Sequence, residues 1–183
     1  LCTAEVTSAG ETGARAYRLM DELAAEVGPG AGGLIYLPYL IGERSPRWNP
    51  DARGAFIGLT MRHTRAHMIR ATLEGVTLNL NVILDALQRQ DAPIDTMRLI
   101  GGGAQSQLWN QLLADIYDRP IQRLAILEEA TSMGAAVVGG VGVGLYPNFS
   151  IAEQMNEIVG EVKPNPDVRP IYQTLTSLFE EAY

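Results

Sequence analysis

The sequence predicts an α/β layer fold, because short apolar runs typical of buried strands alternate with longer segments of helical periodicity in its second half. Length and composition favour one globular domain, since 183 residues, 46% of them hydrophobic and 19% charged, can bury a sizeable core. No internal repeat or low-complexity tract interrupts the pattern. We therefore expect a single domain over residues 1–183.

The pattern of apolar residues places each element along the chain. The predicted strands are the short apolar runs at residues 1–6, 34–40, 55–59, 97–100 and 120–124. The predicted helices, where apolar residues recur every three or four positions, span about 8–27, 64–90, 106–117 and 131–143. Two amphipathic helices are expected within residues 150–183, on either side of an extended segment at 162–167. Residues 41–54 are predicted to form a long polar loop, and such loops often carry function.

Charge and cysteine usage exclude several classes of protein. The net charge of −7 argues against nonspecific binding of nucleic acid or of anionic membranes, which both need a basic surface. The apolar stretch 133–145 is too short to span a bilayer, and we expect it to form a tightly packed buried helix. The first residues lack the pattern of a signal peptide. The single cysteine, Cys2, cannot form an internal disulfide, which fits a reducing compartment. A cytoplasmic protein without nucleic-acid or membrane partners is expected.

The run Gly101-Gly102-Gly103 is the most informative feature, because it follows a predicted strand and precedes a helix that begins near Ser106. Such a turn brings bare backbone and helix N–H groups to one point, which suits a nucleotide. The run is neither G-x-G-x-x-G nor a Walker A loop. Two interpretations stay open: a nucleotide-binding turn, or a tight strand-to-helix turn without a ligand.

Charged and aromatic residues of the loop 41–54 also allow two interpretations. Glu43, Arg44 and Arg47 could reach a substrate or its phosphates, or internal ion pairs could hold the loop together. Trp48 could stack on a base or a sugar, or could anchor the loop. Outside the loop, Trp109 is expected to pack beneath the glycine turn.

Other polar residues are predicted to be structural. Asp51 is expected to bond nearby backbone in a turn, with Arg53 beside it, rather than to act as an acid with a phosphate clamp. Asp115 and Glu74 are interpreted as packing, pairing or capping groups. The histidines at positions 63 and 67 have metal-ligand spacing, but no third ligand is evident, so no metal site is predicted.

The helix predicted at 131–143 and the residues after it are rich in glycine, at positions 134, 139, 140, 142 and 144. Each glycine in a helix costs about 1 kcal/mol relative to alanine. That cost implies either tight packing, as in a buried helix, or the close approach of a ligand. Gly134 is the glycine that we expect nearest to a ligand.

Four segments of the chain, in this order, resemble the C-terminal domain of the FGGY family of carbohydrate kinases. They are Leu37-Pro-Tyr-Leu-Ile-Gly-Glu-Arg-Ser-Pro46 with residues 49–54, residues 54–59 with 67–75, residues 101–115, and Glu129-Ala-Thr-Ser-Met-Gly-Ala-Ala136. The first segment looks most like the xylulokinase branch of the family. The resemblance covers nearly the whole chain.

The resemblance implies a ribonuclease-H-like domain of the actin/hexokinase type, with a mixed sheet flanked by helices. In this family the ATP γ-phosphoryl group is transferred to a sugar hydroxyl, here a ketopentose such as D-xylulose. ATP lies mostly on the C-terminal domain, with magnesium bound through its phosphates, and the sugar lies mostly on the N-terminal domain. The implied partners are ATP or ADP and a small sugar, and a homodimer is permitted.

The resemblance also assigns residues to the nucleotide. Gly102 and Gly103 resemble the glycines under its adenosine and α-phosphate end, and Gln107 occupies a position near adenine. Gly10 resembles a small residue at the start of a helix that approaches the nucleotide, and Gly134 lies in the fourth segment. No catalytic residue and no metal ligand is assigned, because the family's phosphate-binding segments and catalytic aspartate precede the first residue here.

The chain is therefore expected to be roughly the last third of such a kinase, and by itself inactive. Another member of the family, acting on glycerol, gluconate, ribulose or a sugar alcohol, is an alternative. A nucleotide-binding module without catalysis is an alternative of a different class.

Overall fold

The structure is a computed structural model that describes residues 13–90 and 94–183. The predicted strand at 1–6, the predicted cap Ser8 and Gly10 lie outside the described residues. The helices are α1 (Gly13–Ala25), α2 (Arg65–Gln88), α3 (Gln107–Tyr117), α4 (Ala130–Gly142), α5 (Ile151–Met155) and α6 (Arg169–Glu181). The strands are β1 (Ile35–Leu37), β2 (Ala55–Ile57), β3 (Met97–Leu99), β4 (Ile121–Leu124) and β5 (Ile158–Val162). No helix within these two ranges is long and apolar enough to cross a membrane.

The strands form two sheets. Strands β1 and β2 pair antiparallel, and Tyr36 and Phe56 face each other with ring centroids 4.6 Å apart. In the second sheet, β4 lies between β3, which runs parallel to it, and β5, which runs antiparallel. The predicted mixed sheet flanked by helices is thus confirmed.

The C-terminal region differs from the prediction. The residues before the expected extended segment form β5, which pairs with β4, and α5 has only five residues. The sequence did not indicate β5, because it is defined by pairing with a strand more than thirty residues earlier in the chain, and its side chains are mostly exposed. Local apolar periodicity does not report such long-range pairing.

The main core lies where α2, α3 and α6 meet β1. Its largest fully buried side chains include Tyr172, Phe179, Leu78 and Leu112. Helix α2 lies directly on β1, because a Cβ at Gly75 would stand 2.1 Å from the Tyr36 carbonyl oxygen. Glycine at position 75 therefore permits the approach of helix and strand that closes this core.

A buried ion pair ties α2 to α6. Arg70 Nε donates to Glu74 Oε1 over 2.8 Å, and the two side chains are 7% and 2% exposed. Glu74 Oε1 also accepts from the Gly30 N–H (2.9 Å) and the Tyr172 hydroxyl (3.0 Å). The Arg70 guanidinium reaches Tyr172 as well, over 2.8 Å. The prediction that Glu74 pairs within the domain is confirmed.

The prediction of a tightly packed buried helix at α4 is wrong for the described structure. Val137 and Gly140 are buried, but Val138 and Val143 are 60% and 82% exposed. Of the glycines, only Gly140 is in close contact, since a Cβ there would lie 2.4 Å from the Tyr146 ring. The other four have no described atom within 4 Å of a Cβ, so close packing does not require glycine at those positions.

Alkaline pH is expected to destabilise the domain through its buried tyrosines. Burial raises the pKa of Tyr39 from 10.0 to about 12, and burial also raises the pKa of Tyr117 and Tyr172. Folding favours the protonated phenols, so their contribution is complete below the unfolded pKa and is lost as pH rises through the folded pKa. The urea concentration at the midpoint of unfolding should fall as the pH rises from 10 to 12. It should fall less steeply in the Tyr39→Phe variant. A midpoint that is flat over this window would contradict the expectation.

Candidate functional site

Among the described residues, two backbone donors of the glycine turn have no partner. Gly101, with φ at +82°, turns the chain after β3, and its N–H donates to the Leu127 carbonyl over 2.8 Å. The following 3₁₀ turn is closed by the N–H groups of Ala104 and Ser106, which donate to Gly101 and Gly103. Within the described chain, no hydrogen bond uses the N–H of Gly102 or Gly103. These donors are available to an acceptor group.

The turn is fixed to the first residues of α3. Ser106 is the N-cap, and its hydroxyl accepts from the Trp109 N–H over 3.0 Å. The buried Asn110 side chain donates to the Ala104 carbonyl, also over 3.0 Å. Gln107, the first residue of the helix, is exposed beside the turn. The free N–H groups and the positive end of the α3 dipole thus lie at one place.

The two candidate glycines differ in what a side chain at their position would meet. A Cβ at Gly103 would lie 2.6 Å from the Trp109 ring, so packing alone demands glycine there. This confirms that Trp109 packs beneath the turn, where its indole N–H donates to Thr77 over 2.9 Å. Gly102 is exposed, and no described atom lies within 4 Å of a Cβ built on it. As far as the described residues go, the space above Gly102 is open to a ligand.

Two carboxylates give the turn a negative environment. Glu128 accepts a hydrogen bond from the Gln105 amide. Asp21, on α1, accepts from the Ser106 hydroxyl, and burial raises the pKa of Asp21 while that hydrogen bond opposes the shift. Carboxylates repel phosphate and accept hydrogen bonds from hydroxyl or amino groups. The turn therefore suits the adenosine end of a nucleotide better than its phosphates. Sequence reasoning missed Glu128 and Asp21, since neither lies in a recognisable motif.

Not all of the predicted site residues lie together in the structure. Gly102, Gly103 and Gln107 come together at the head of α3. Gly134 is exposed on α4, a helix whose preceding segment holds Leu127 and Glu128 against the turn. The positions assigned to Gly134 and Gly10 relative to a ligand stay predictions.

The loop 41–54 is held by contacts within the loop and with the C-terminal residues, which favours the structural interpretation of Glu43 and Arg47. Glu43 is 4% exposed, its backbone pairs with Asn49 in both directions, and its carboxylate accepts from the Arg47 N–H over 3.2 Å. Arg47 pairs with Glu180 and lies over the Tyr183 ring at 3.9 Å. Trp48 is 72% exposed, so the anchoring role is wrong, and Arg44 is exposed too.

Most other polar candidates are structural. Asp115 Oδ1 accepts from the Asn165 N–H over 2.8 Å, as expected of a packing group. The turn near Asp51 is made by Asn49, whose side chain accepts from the Asp51 N–H, so the bonding role predicted for Asp51 belongs to Asn49. His67 completes the capping box of α2 with Thr64, and His63 contacts Thr60 and Gly32. Residues 13–90 and 94–183 hold no group of three His, Cys, Asp or Glu side chains suited to a metal.

Comparison with known proteins identifies the class to which this domain belongs. The sequence profile of the FGGY family of carbohydrate kinases, C-terminal domain, matches residues 1–143. The chain belongs to this family, and it has the ribonuclease-H-like fold of the actin/hexokinase type.

Similar proteins include kinases of different named substrates. The gluconokinase of Bacillus subtilis (strain 168) is 36% identical over 97% of this chain and 34% of its own length. The crystal structure of xylulose kinase from Rhodospirillum rubrum matches with a TM-score of 0.81 and 33% identity, over 96% of this chain and 35% of that one. Plasmodium falciparum glycerol kinase with ADP matches with a TM-score of 0.75 and 27% identity, over 90% and 33%. The chain spans about a third of the length of these relatives.

Proposed function

We propose that this chain is the nucleotide-binding part of an ATP-dependent carbohydrate kinase, and that its glycine turn holds the adenosine side of ATP. The observation that carries the proposal is the pair of free N–H groups at Gly102 and Gly103, beside open space at the head of α3. Membership of a family of carbohydrate kinases and the likeness to a glycerol kinase solved with ADP support it.

Each site residue then has a role. The N–H groups of Gly102 and Gly103 donate to acceptors on the nucleotide, and the Gln107 amide is within reach of the base. Gly10 and Gly134 allow backbone to approach the ligand closely. Bound ATP supplies the phosphoryl group, and magnesium is assigned to the nucleotide phosphates rather than to this chain's side chains. No described residue is assigned as the base for the sugar hydroxyl, so the chain by itself is expected to be inactive.

D-xylulose is the first candidate substrate, and the product would be its phosphate ester. It is supported by the loop 41–54 and by the likeness to the xylulose kinase of R. rubrum. D-gluconate is the second candidate, because the B. subtilis gluconokinase aligns with 97% of this chain. A homodimer and a cytoplasmic location remain part of the proposal.

ADP release by the full-length protein, measured with D-xylulose, D-gluconate, ribulose and glycerol, tests this proposal. We expect the value of kcat/KM to be highest for D-xylulose. A preference for gluconate or glycerol would support the proposed kinase activity but overturn the assignment of D-xylulose as its substrate. No sugar-dependent ADP release with any of them would favour the nucleotide-binding module without catalysis.

The Gly102→Val variant of the full-length protein tests the role of the turn. A side chain there meets no described atom, so the fold should persist, but it would occupy the space proposed for the nucleotide. We expect KM for ATP to rise about tenfold or more, equivalent to about 1.4 kcal/mol, while KM for the sugar changes little. Gly160→Val on β5, where a Cβ is also unobstructed, is the matched control. An unchanged KM for ATP would refute the assignment; Gly103→Val is unsuitable, because it would collide with Trp109.

A further inference from the structure

A buried asparagine holds the glycine turn from the interior of the domain. Asn110, on α3, is 2% exposed, and its side-chain amide donates to the Ala104 carbonyl over 3.0 Å. Among the described residues, no other group donates to that carbonyl, since the backbone hydrogen bonds that close the turn end on Gly101 and Gly103. The conformation of the turn at Ala104 therefore depends on the Asn110 side chain.

The same side chain carries an atom without a partner. Asn110 Oδ1 is buried, and among the described residues nothing donates to it. A buried polar atom that makes no hydrogen bond lowers stability, and an apolar side chain of similar volume would avoid that cost. Burial alone thus does not account for an asparagine at position 110, whereas the contact with Ala104 does.

A second buried asparagine holds the other end of the turn through one intervening segment. Asn156 follows α5 and is 8% exposed. Its side chain accepts from the Ile126 N–H over 2.9 Å and donates to the Ile126 carbonyl over 2.7 Å. The carbonyl of the next residue, Leu127, accepts from the Gly101 N–H over 2.8 Å. Asn156 therefore fixes the segment on which the first hydrogen bond of the turn depends.

We propose that Asn110 and Asn156 are positioning residues for the nucleotide, because together they hold the glycine turn in the conformation that presents the Gly102 and Gly103 N–H groups. This inference rests on the nucleotide-binding role proposed above for the turn. A turn that is already ordered binds more tightly than a loose one, since the loose turn must be ordered at the moment of binding. Both asparagines act on the nucleotide only through the backbone that they hold.

Calorimetric titration of the full-length protein with ADP tests the proposal without requiring the sugar to be known. Asn110→Leu and Asn156→Leu remove the amide and keep most of the side-chain volume. We expect each variant to raise the Kd for ADP about fivefold or more, the size of effect that one lost hydrogen bond produces. Asn81→Leu is the matched control and should bind like the parent, since Asn81 is also 8% exposed but makes no described contact with the turn.

Two further measurements separate positioning from a merely structural role. Urea denaturation verifies that each variant is folded under the conditions of the titration, because a partly unfolded protein binds more weakly for that reason alone. Hydrogen–deuterium exchange of the peptide that contains residues 101–106, measured without nucleotide, reports the order of the turn itself. Exchange there should be faster in both leucine variants than in the parent and in Asn81→Leu.

A variant that binds ADP with the parent affinity, or whose turn exchanges no faster, overturns the positioning role of its asparagine. A lower urea midpoint with an unchanged Kd would show a structural role only. The Gly102→Val variant separates this failure from failure of the proposed function. If Gly102→Val weakens ADP binding, the turn still binds the nucleotide; if it does not, the proposed function is wrong, and the positioning role with it. Where a leucine variant does not fold, the serine variant at the same position replaces it, because serine is too short to make the same contacts.

Discussion

Replacing Gly75 with alanine is expected to lower the free energy of unfolding by about 3 kcal/mol, the upper end of the usual cost of overpacking a core. The new methyl carbon would stand 2.1 Å from the Tyr36 carbonyl oxygen and 2.9 Å from its carbon, and both are backbone atoms of β1. Overpacking against backbone cannot be relieved by a side-chain rotation, so α2 and β1 must separate. Because β1 and α2 both contribute to the main core, the separation would disturb that core as well.

Urea denaturation followed by circular dichroism measures this effect, and Gly139→Ala provides the matched control. Gly139 also lies inside a helix, but a Cβ there has no described atom within 4 Å. The control should be stabilised by about 0.5–1 kcal/mol, the usual gain of alanine over glycine in a helix. If Gly75→Ala unfolds at the same urea concentration as the parent, the close approach of α2 to β1 is wrong.

Arg70→Met is expected to destabilise the domain by about 3–5 kcal/mol, because it leaves the Glu74 carboxylate buried without its cation. Glu74 would keep the hydrogen bonds from Gly30 and Tyr172, but a carboxylate that is 2% exposed cannot regain water. The Tyr172 hydroxyl would also lose its contact with the guanidinium. Because Tyr172 belongs to α6, the packing of α6 against α2 should weaken as well.

The double variant Arg70→Met/Glu74→Leu separates the ion pair from packing. Removing both charges should recover part of the stability, with a coupling energy of about 1–3 kcal/mol in a double-mutant cycle. Arg18→Met is the control, because Arg18 and Glu22 have the same i,i+4 spacing but are 71% and 63% exposed. Its effect should stay below about 0.5 kcal/mol. If Arg70→Met destabilises the domain no more than Arg18→Met does, the stabilising role given to the buried pair is wrong.

Much of the fold could be predicted from local pattern, because the long helices show it strongly. The apolar spacing from position 64 to 90 located α2 within two residues, and Ser106 marked the start of α3. Strand β5 and the exposure of α4 could not be predicted in this way. The first depends on a partner more than thirty residues away, and the second depends on which surfaces meet the apolar face of the helix.

The candidate site could also be predicted only in part from the sequence. The glycine run was visible in the sequence, but the sequence could not separate Gly103, which is required by Trp109, from Gly102, which faces open space. Nor could it show that Glu128 and Asp21 lie beside the turn, since they reach it through contacts between separate elements. Distances between elements, rather than residue types, distinguish a packing glycine from one that admits a ligand.

The most direct test of the proposed site is a crystal structure of the full-length protein with ADP. We expect the adenosine to lie against the turn, with acceptor atoms within hydrogen-bond distance of the Gly102 and Gly103 N–H groups and the base beside Gln107. Adenosine bound away from the head of α3, with those two N–H groups facing solvent, would contradict the assignment of this turn to the nucleotide.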